Sequence, residues 1–187
     1  MFSLKRISHI SIFILVIFIL KSVLSLVLRS SITSCFGAGY ETDAYFAAFT
    51  IPQQLGDFFI AGILFAAIIP VFQKRRVDSG EEEASKDIHA LISLSLVTLC
   101  VITVVFFALV PQISRLVFPK FDEQKLRLTI KFARILSPAI ILFGMSLIYT
   151  SLYHSFQDFI VPSYASLIFP VSSLMSIWLL PTDWGIE

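Results

Sequence analysis

The stretch A-L-I-S-L-S-L-V-T-L-C-V-I-T-V-V-F-F-A-L-V, from Ala90 to Val110, holds no charged residue. A helix that crosses a bilayer needs roughly 20 mostly apolar residues, because the hydrocarbon core is about 30 Å thick and each residue rises about 1.5 Å. This stretch has that length, so it reads as a transmembrane helix. Four further stretches satisfy the same test. They run from about 9 to 33, 43 to 72, 128 to 153 and 159 to 180; the first carries Lys21 and Arg29, and the other three carry proline. The second is interrupted by Pro52 and by Gly56-Asp57 and predicts a bent or broken helix. Pro138 lies inside the fourth, and Pro162 and Pro170 inside the fifth; proline is tolerated there because neighbouring helices re-satisfy the freed carbonyls. The expected fold class is all-α: a polytopic membrane protein of about five transmembrane helices in a single helical domain over residues 1–187.

Composition agrees with this reading. Hydrophobic residues make up 57% of the chain and charged ones 14%, with Phe alone occurring 19 times, and the mean hydropathy is +0.87. A water-soluble domain rarely has this balance. The net charge of +1 excludes the electrostatic footprint of a nucleic-acid binder. Between the spans, Gln73 to Asp87 reads as a solvated charged connector. Pro111 to Arg127 is a second charged stretch with room for a short interfacial helix, and His154 to Asp158 is a brief connector. With the N-terminus inside, the inner loops hold Lys5, Arg6, Lys74, Arg75, Arg76 and Lys86, against Arg115, Lys120, Lys125 and Arg127 outside. Lys and Arg are retained on the cytoplasmic side, so the N-terminus is expected there. Lys5-Arg6, an apolar run and Ser34-Cys35 loosely imitate a lipoprotein signal. A first membrane helix explains more, because the run carries Lys21 and Arg29 and four further spans follow.

Charges inside spans carry the functional information. Each costs about 2.5 to 3.5 kcal/mol on insertion scales and calls for a partner, a watery cavity or a route to the interface. Lys21, Ser25 and Arg29 recur at intervals of four, with Ser22 beside them, so one polar stripe runs up the first helix. Antiparallel packing of the first two helices would bring Arg29 beside Asp43. Lys21, about 12 Å further down, would approach Asp57 only if the second helix breaks at Pro52. Lys21, Arg29, Asp43 and Asp57 are therefore the candidate substrate-binding residues, and Lys131 and Arg134, near the outer end of the fourth helix, are secondary candidates. Interhelical ion pairs or side chains reaching for the interface are the alternative reading of each. Gly37 and Gly39 are expected to form a turn, and Pro52 and Pro138 helix breaks.

Catalytic signatures are absent from the sequence. There is no G-x-x-x-x-G-K-[ST] phosphate loop, no G-x-S-x-G elbow and no H-E-x-x-H; His9, His89 and His154 are isolated, and Cys35 and Cys100 lie in unrelated apolar surroundings. The expectation is a non-enzyme with no cofactor, no metal and no nucleic-acid partner.

The segment C-F-G-A-G-Y-E-T-D-A-Y-F-A-A-F-T-I-P, Cys35 to Pro52, resembles the MurJ (MviN) family of lipid II flippases through its F-G-A-G-x-x-T-D-A-[FY]-x-x-A-F-x-[IL]-P pattern. The likeness continues at Phe58 to Gly62 and Ala66 to Phe72, and more weakly at Pro138 and at Phe159-Ile160-Val161-Pro162. This resemblance implies a transporter of the multidrug, oligosaccharidyl-lipid and polysaccharide exporter superfamily, with two lobes around a central cationic cavity. The chain would supply most of one lobe, as an N-terminal fragment. The implied cargo is lipid II or a related undecaprenyl-pyrophosphate-linked saccharide, moved across the bacterial cytoplasmic membrane by alternating access. Implied partners are that substrate, membrane lipids, the missing C-terminal lobe and cell-wall synthesis proteins. Asp43 matches the family's functionally important aspartate at the start of the second helix. The family's helix-one arginines fall here on Ser22 and Leu28, with Lys21 and Arg29 each displaced by one residue, a rotation of about 100°. Where the family carries an arginine pair followed by A-E-G, this chain has Gly56, Asp57 and Ile60-Ala61-Gly62.

Two other functions compete. One is a truncated, non-transporting membrane interaction protein whose polar stripe pairs internally. The other is an exporter of a different lipid-linked glycan or a drug. A pyrophosphate carrier needs net positive charge in its cavity and a cationic-drug carrier exposed carboxylates, and Lys21 and Arg29 favour the anion.

Overall fold

The computed structural model describes the backbone of residues 4–56 and 81–179, and the side chains of 11–55 and 88–179. Every element among the described residues is an α-helix: α1 (Leu4–Phe36), α2 (Tyr40–Gly56), α3 (Glu81–Val117), α4 (Glu123–Leu136), α5 (Ala139–Ser155) and α6 (Ile160–Leu179). Three of them are long and apolar enough to cross a membrane, with spans at Ser11–Phe36, Ile88–Val117 and Ile160–Leu179; the bent pair α4 and α5 makes a fourth if counted as one. The chain is a helical membrane protein. Of the expected span 43–72, only the part up to Gly56 lies within the described residues, and Asp57 lies outside them.

The chain forms two compact units, Met1–Thr42 with Gln157–Glu187, and Asp43–Phe156. In the first, α1 packs along α6. At 33 residues α1 is roughly 50 Å long, more than a bilayer core requires. Ile17 and Leu28 are buried on it, and Lys21 and Leu24, half-buried, lie on the same face. Phe13 meets Tyr164 of α6 edge to face, with ring centroids 5.4 Å apart. Asp158 accepts hydrogen bonds at Oδ1 from the Ile160 and Val161 backbone N–H groups, at 3.0 and 3.4 Å, and so satisfies the open N-terminus of α6. The opposite faces carry exposed apolar side chains such as Phe18, Leu26 and Trp178, as expected where lipid rather than water is the solvent.

In the second unit, α3 packs on α4 and α5. Ser95, Leu99, Phe106, Val110 and Ser114 are buried along one face of α3 at helical spacing. This face packs with Ile140, Ile148 and Leu152 of α5, on which Gly144 is buried as well. Ala48 and Ile51 of α2 and Ala133 of α4 complete the core. Most span hydroxyls bond to their own helix: Thr103 donates to the Leu99 carbonyl at 2.8 Å, Thr129 to Lys125 at 2.9 Å and Ser151 to Leu147 at 2.8 Å. Ser114 Oγ is buried with no hydrogen-bond partner among the described residues.

Several boundaries differ from the sequence expectation. Helix α3 starts at Glu81, inside the stretch read as a connector, and a run of three glutamates is favourable at a helix N-terminus. It then continues through Pro111 to Val117, because Val110 and Ser114 on either side are packed in the core. The connector is thereby reduced to Phe118–Asp122. Likewise α2 is helical through Pro52, which is fully buried beside Ile51, so this proline does not break the helix before Gly56. Pro138 does: α4 and α5 are separate helices meeting at 52°. There Ser137 Oγ donates to the Arg134 carbonyl at 2.7 Å, and Ile140 and Ile141 N–H restart the ladder on Ser137 and Pro138 at 3.1 Å each. The expected span 128–153 is thus broken at Pro138, as its proline implies, into a short amphipathic helix and an apolar one.

Candidate functional site

The turn between α1 and α2 sets up the site. Gly37 has φ +81°, a left-handed conformation that costs an L-residue with a side chain but not glycine. Its carbonyl accepts a hydrogen bond of 2.7 Å from the Thr42 hydroxyl. Gly39 also lies in the turn, as the sequence implied. Two residues of the F-G-A-G-x-x-T-D pattern therefore close the turn, and the next residue is Asp43, in the opening stretch of α2.

Asp43 belongs to the second unit, and there its Oδ2 accepts a hydrogen bond of 2.8 Å from Lys125 Nζ, in the first turn of α4. The pair is asymmetric. The Lys125 side chain is 16% exposed and that of Asp43 66%. Lys125 also lies 4.6 Å over the ring of Phe121, which stacks on Phe118 at 4.8 Å. A cation desolvated against an aromatic face and paired with a carboxylate is held far more firmly than a surface lysine. Aromatic contacts fix α2 against its neighbours: Tyr45 meets Phe132 of α4 at 6.3 Å, and Phe49 meets Phe143 of α5 at 5.8 Å. The acidic residue is thus presented from a rigid corner, with its Oδ1 unpartnered among the described residues.

The other expected site residues are distributed differently. Arg29 is exposed on α1, in the other unit, and Lys21 is half-buried on the same helix. Ser22, exposed beside them, donates its hydroxyl to the Phe18 carbonyl at 2.9 Å. Lys131 and Arg134 are exposed on α4, and the Arg134 guanidinium lies 5.6 Å from the Phe107 ring of α3. These two occupy a charged helix of their own rather than the end of a continuous span. Lys125 is not among the residues that the sequence singles out for the site; there it reads only as a cation of the outer loop. Among the described residues no three His, Cys, Asp or Glu side chains are grouped to hold a metal.

Comparison with known proteins gives a consistent result. The sequence profile described as "Lipid II flippase MurJ" matches residues 32–187. A relative from Buchnera aphidicola (subspecies Acyrthosiphon pisum), named "Probable lipid II flippase MurJ", is 28% identical over 156 residues, covering 82% of this chain and 30% of the relative. One from Rhizobium tropici with the same name is 26% identical, over 82% of this chain and 31% of the relative. A third, "Lipid II flippase MurJ" from Burkholderia cenocepacia, is 24% identical over 82% of this chain and 30% of its own length. The chain therefore spans about three-tenths of the length of the curated relatives it matches.

Proposed function

The chain belongs to the lipid II flippase MurJ family, and from that premise we propose that it forms part of a transporter for lipid II or a closely related undecaprenyl-pyrophosphate-linked saccharide. The head group passes through a polar cavity while the lipid tail stays in the membrane, and two bundles alternate access to either face. The work is carried by differential binding and conformational change, with no covalent step. Arg29 and Lys21 supply positive charge toward the pyrophosphate, Asp43 a fixed acceptor, and Asp57 a second carboxylate; Lys131 and Arg134 add cations at the margin. The protein resides in the bacterial cytoplasmic membrane with its N-terminus on the cytoplasmic side, a reading supported by the Lys and Arg distribution. Membrane lipids are its surroundings, and the remaining lobe and cell-wall synthesis proteins its protein partners.

The observation that carries this reading is the profile match over residues 32–187, which includes the turn that presents Asp43. The test is complementation of a strain depleted of its own flippase. Arg29→Ala and Asp43→Ala in the protein as the cell makes it should each abolish growth while membrane levels stay unchanged. Wild-type growth with both substitutions would remove the site assignment.

A further inference from the structure

We propose that Lys125 is the positioning residue of this site: it turns the Asp43 carboxylate so that Oδ1 accepts a hydrogen bond from an uncharged donor of the cargo, a sugar hydroxyl or an amide N–H. The inference rests on the transport reading above and names the part of the head group that Asp43 contacts.

Three observations lead there. First, Lys125 donates to Oδ2 at 2.8 Å, and no other hydrogen bond or ion pair engages Asp43 among the described residues, so Oδ1 stays open on a side chain that is 66% exposed. Secondly, a carboxylate only accepts, so it cannot bind a pyrophosphate, whose oxygens are acceptors of the same charge. Uncharged N–H and O–H groups are what such an oxygen recognises. Thirdly, Lys125 is not presented as a phosphate ligand: its side chain is only 16% exposed, one face lies on Phe121, and it is bonded to Asp43. A chain of local contacts keeps it there. The Phe118 N–H bonds to the Ser114 carbonyl at 3.0 Å, the Phe121 N–H to Phe118 at 3.2 Å, and the Thr129 hydroxyl to the Lys125 carbonyl at 2.9 Å. The charges divide accordingly, with a fixed lysine organising an acceptor on α2 while cations elsewhere meet the phosphates.

The experiment compares two lipids on the protein as the cell makes it, purified in nanodiscs: lipid II, which carries sugar and amide donors, and undecaprenyl pyrophosphate, which lacks them. Lys125→Met should weaken lipid II binding about tenfold, the loss expected for a hydrogen bond to a charged group, and leave undecaprenyl pyrophosphate binding within about twofold. Lys125→Arg, which keeps charge and donors, should recover most of the lipid II affinity. Should Lys125→Met not fold, Phe121→Leu removes the ring that holds the ammonium and should give the same ordering of the two lipids. Equal losses for both lipids, or no loss for either, would overturn the assignment. If the unaltered protein binds neither lipid, the transport reading itself fails, an outcome distinct from a loss of discrimination.

Discussion

On α1, Lys21 is half-buried on the face that carries Ile17, Leu24 and Leu28, and it makes no hydrogen bond or ion pair among the described residues. On α4, Lys125 holds Asp43 at 2.8 Å and lies 4.6 Å over Phe121. The two lysines have the same chemistry and comparable burial but different surroundings. Two further cations of the second unit have partners: Arg127 donates to Glu123 at 3.2 Å, and Arg134 lies over the Phe107 ring at 5.6 Å. The α1–α6 unit carries Lys21 on a mainly apolar face, where the half-buried Ser25 is its nearest polar neighbour along the helix. An ionisable group kept in that setting costs stability, and such costs are retained mainly where function uses the charge. A paired lysine, by contrast, defines the shape of its surroundings.

Four substitutions sharpen or break this contrast. Phe106→Ala, at a 2% exposed position in the core of the second unit, should destabilise the protein by about 3–5 kcal/mol in a reversible unfolding assay, because the cavity cannot close around α5. Lys21→Leu should act in the opposite sense, stabilising the first unit by about 2–3 kcal/mol while lowering transport. A loss of stability there would mean that the lysine is structurally required, and the contrast would fall. Gly37→Ala should cost about 1 kcal/mol through its φ of +81° alone, since the space around it is open; an unchanged melting temperature would show that the turn relaxes. Arg127→Ala should change stability by less than about 0.5 kcal/mol, because both side chains of that pair are about three-quarters exposed.

The sequence made the long apolar helices legible because bilayer thickness imposes a length that hydropathy reveals directly: Ala90–Val110 lies inside α3, the expected span 9–33 lies inside α1, and the expected span 159–180 contains α6. The turn at Gly37 was equally readable from its glycines. Proline was a poorer guide. Pro138 separates two helices, whereas Pro52 and Pro111 sit inside continuous ones, because burial of Ile51 and Val110 holds the ladder across the missing N–H. Asp43 stood out as a charge in an apolar stretch, yet its lysine partner did not. The two are 82 residues apart, and such a pairing follows from how α2 and α4 pack rather than from local spacing. The family pattern marked Asp43 but contained no sign of Lys125.

The most direct measurement is the leaflet distribution of lipid II in cells whose own flippase has been depleted and which carry either the wild-type protein or its Asp43→Ala variant at equal membrane levels. The expected result is that lipid II reaches the outer leaflet with the wild type and accumulates in the inner leaflet with the variant. Failure of the wild type to move lipid II, or equal movement by both, would contradict the proposal that the protein transports lipid II through a site at Asp43.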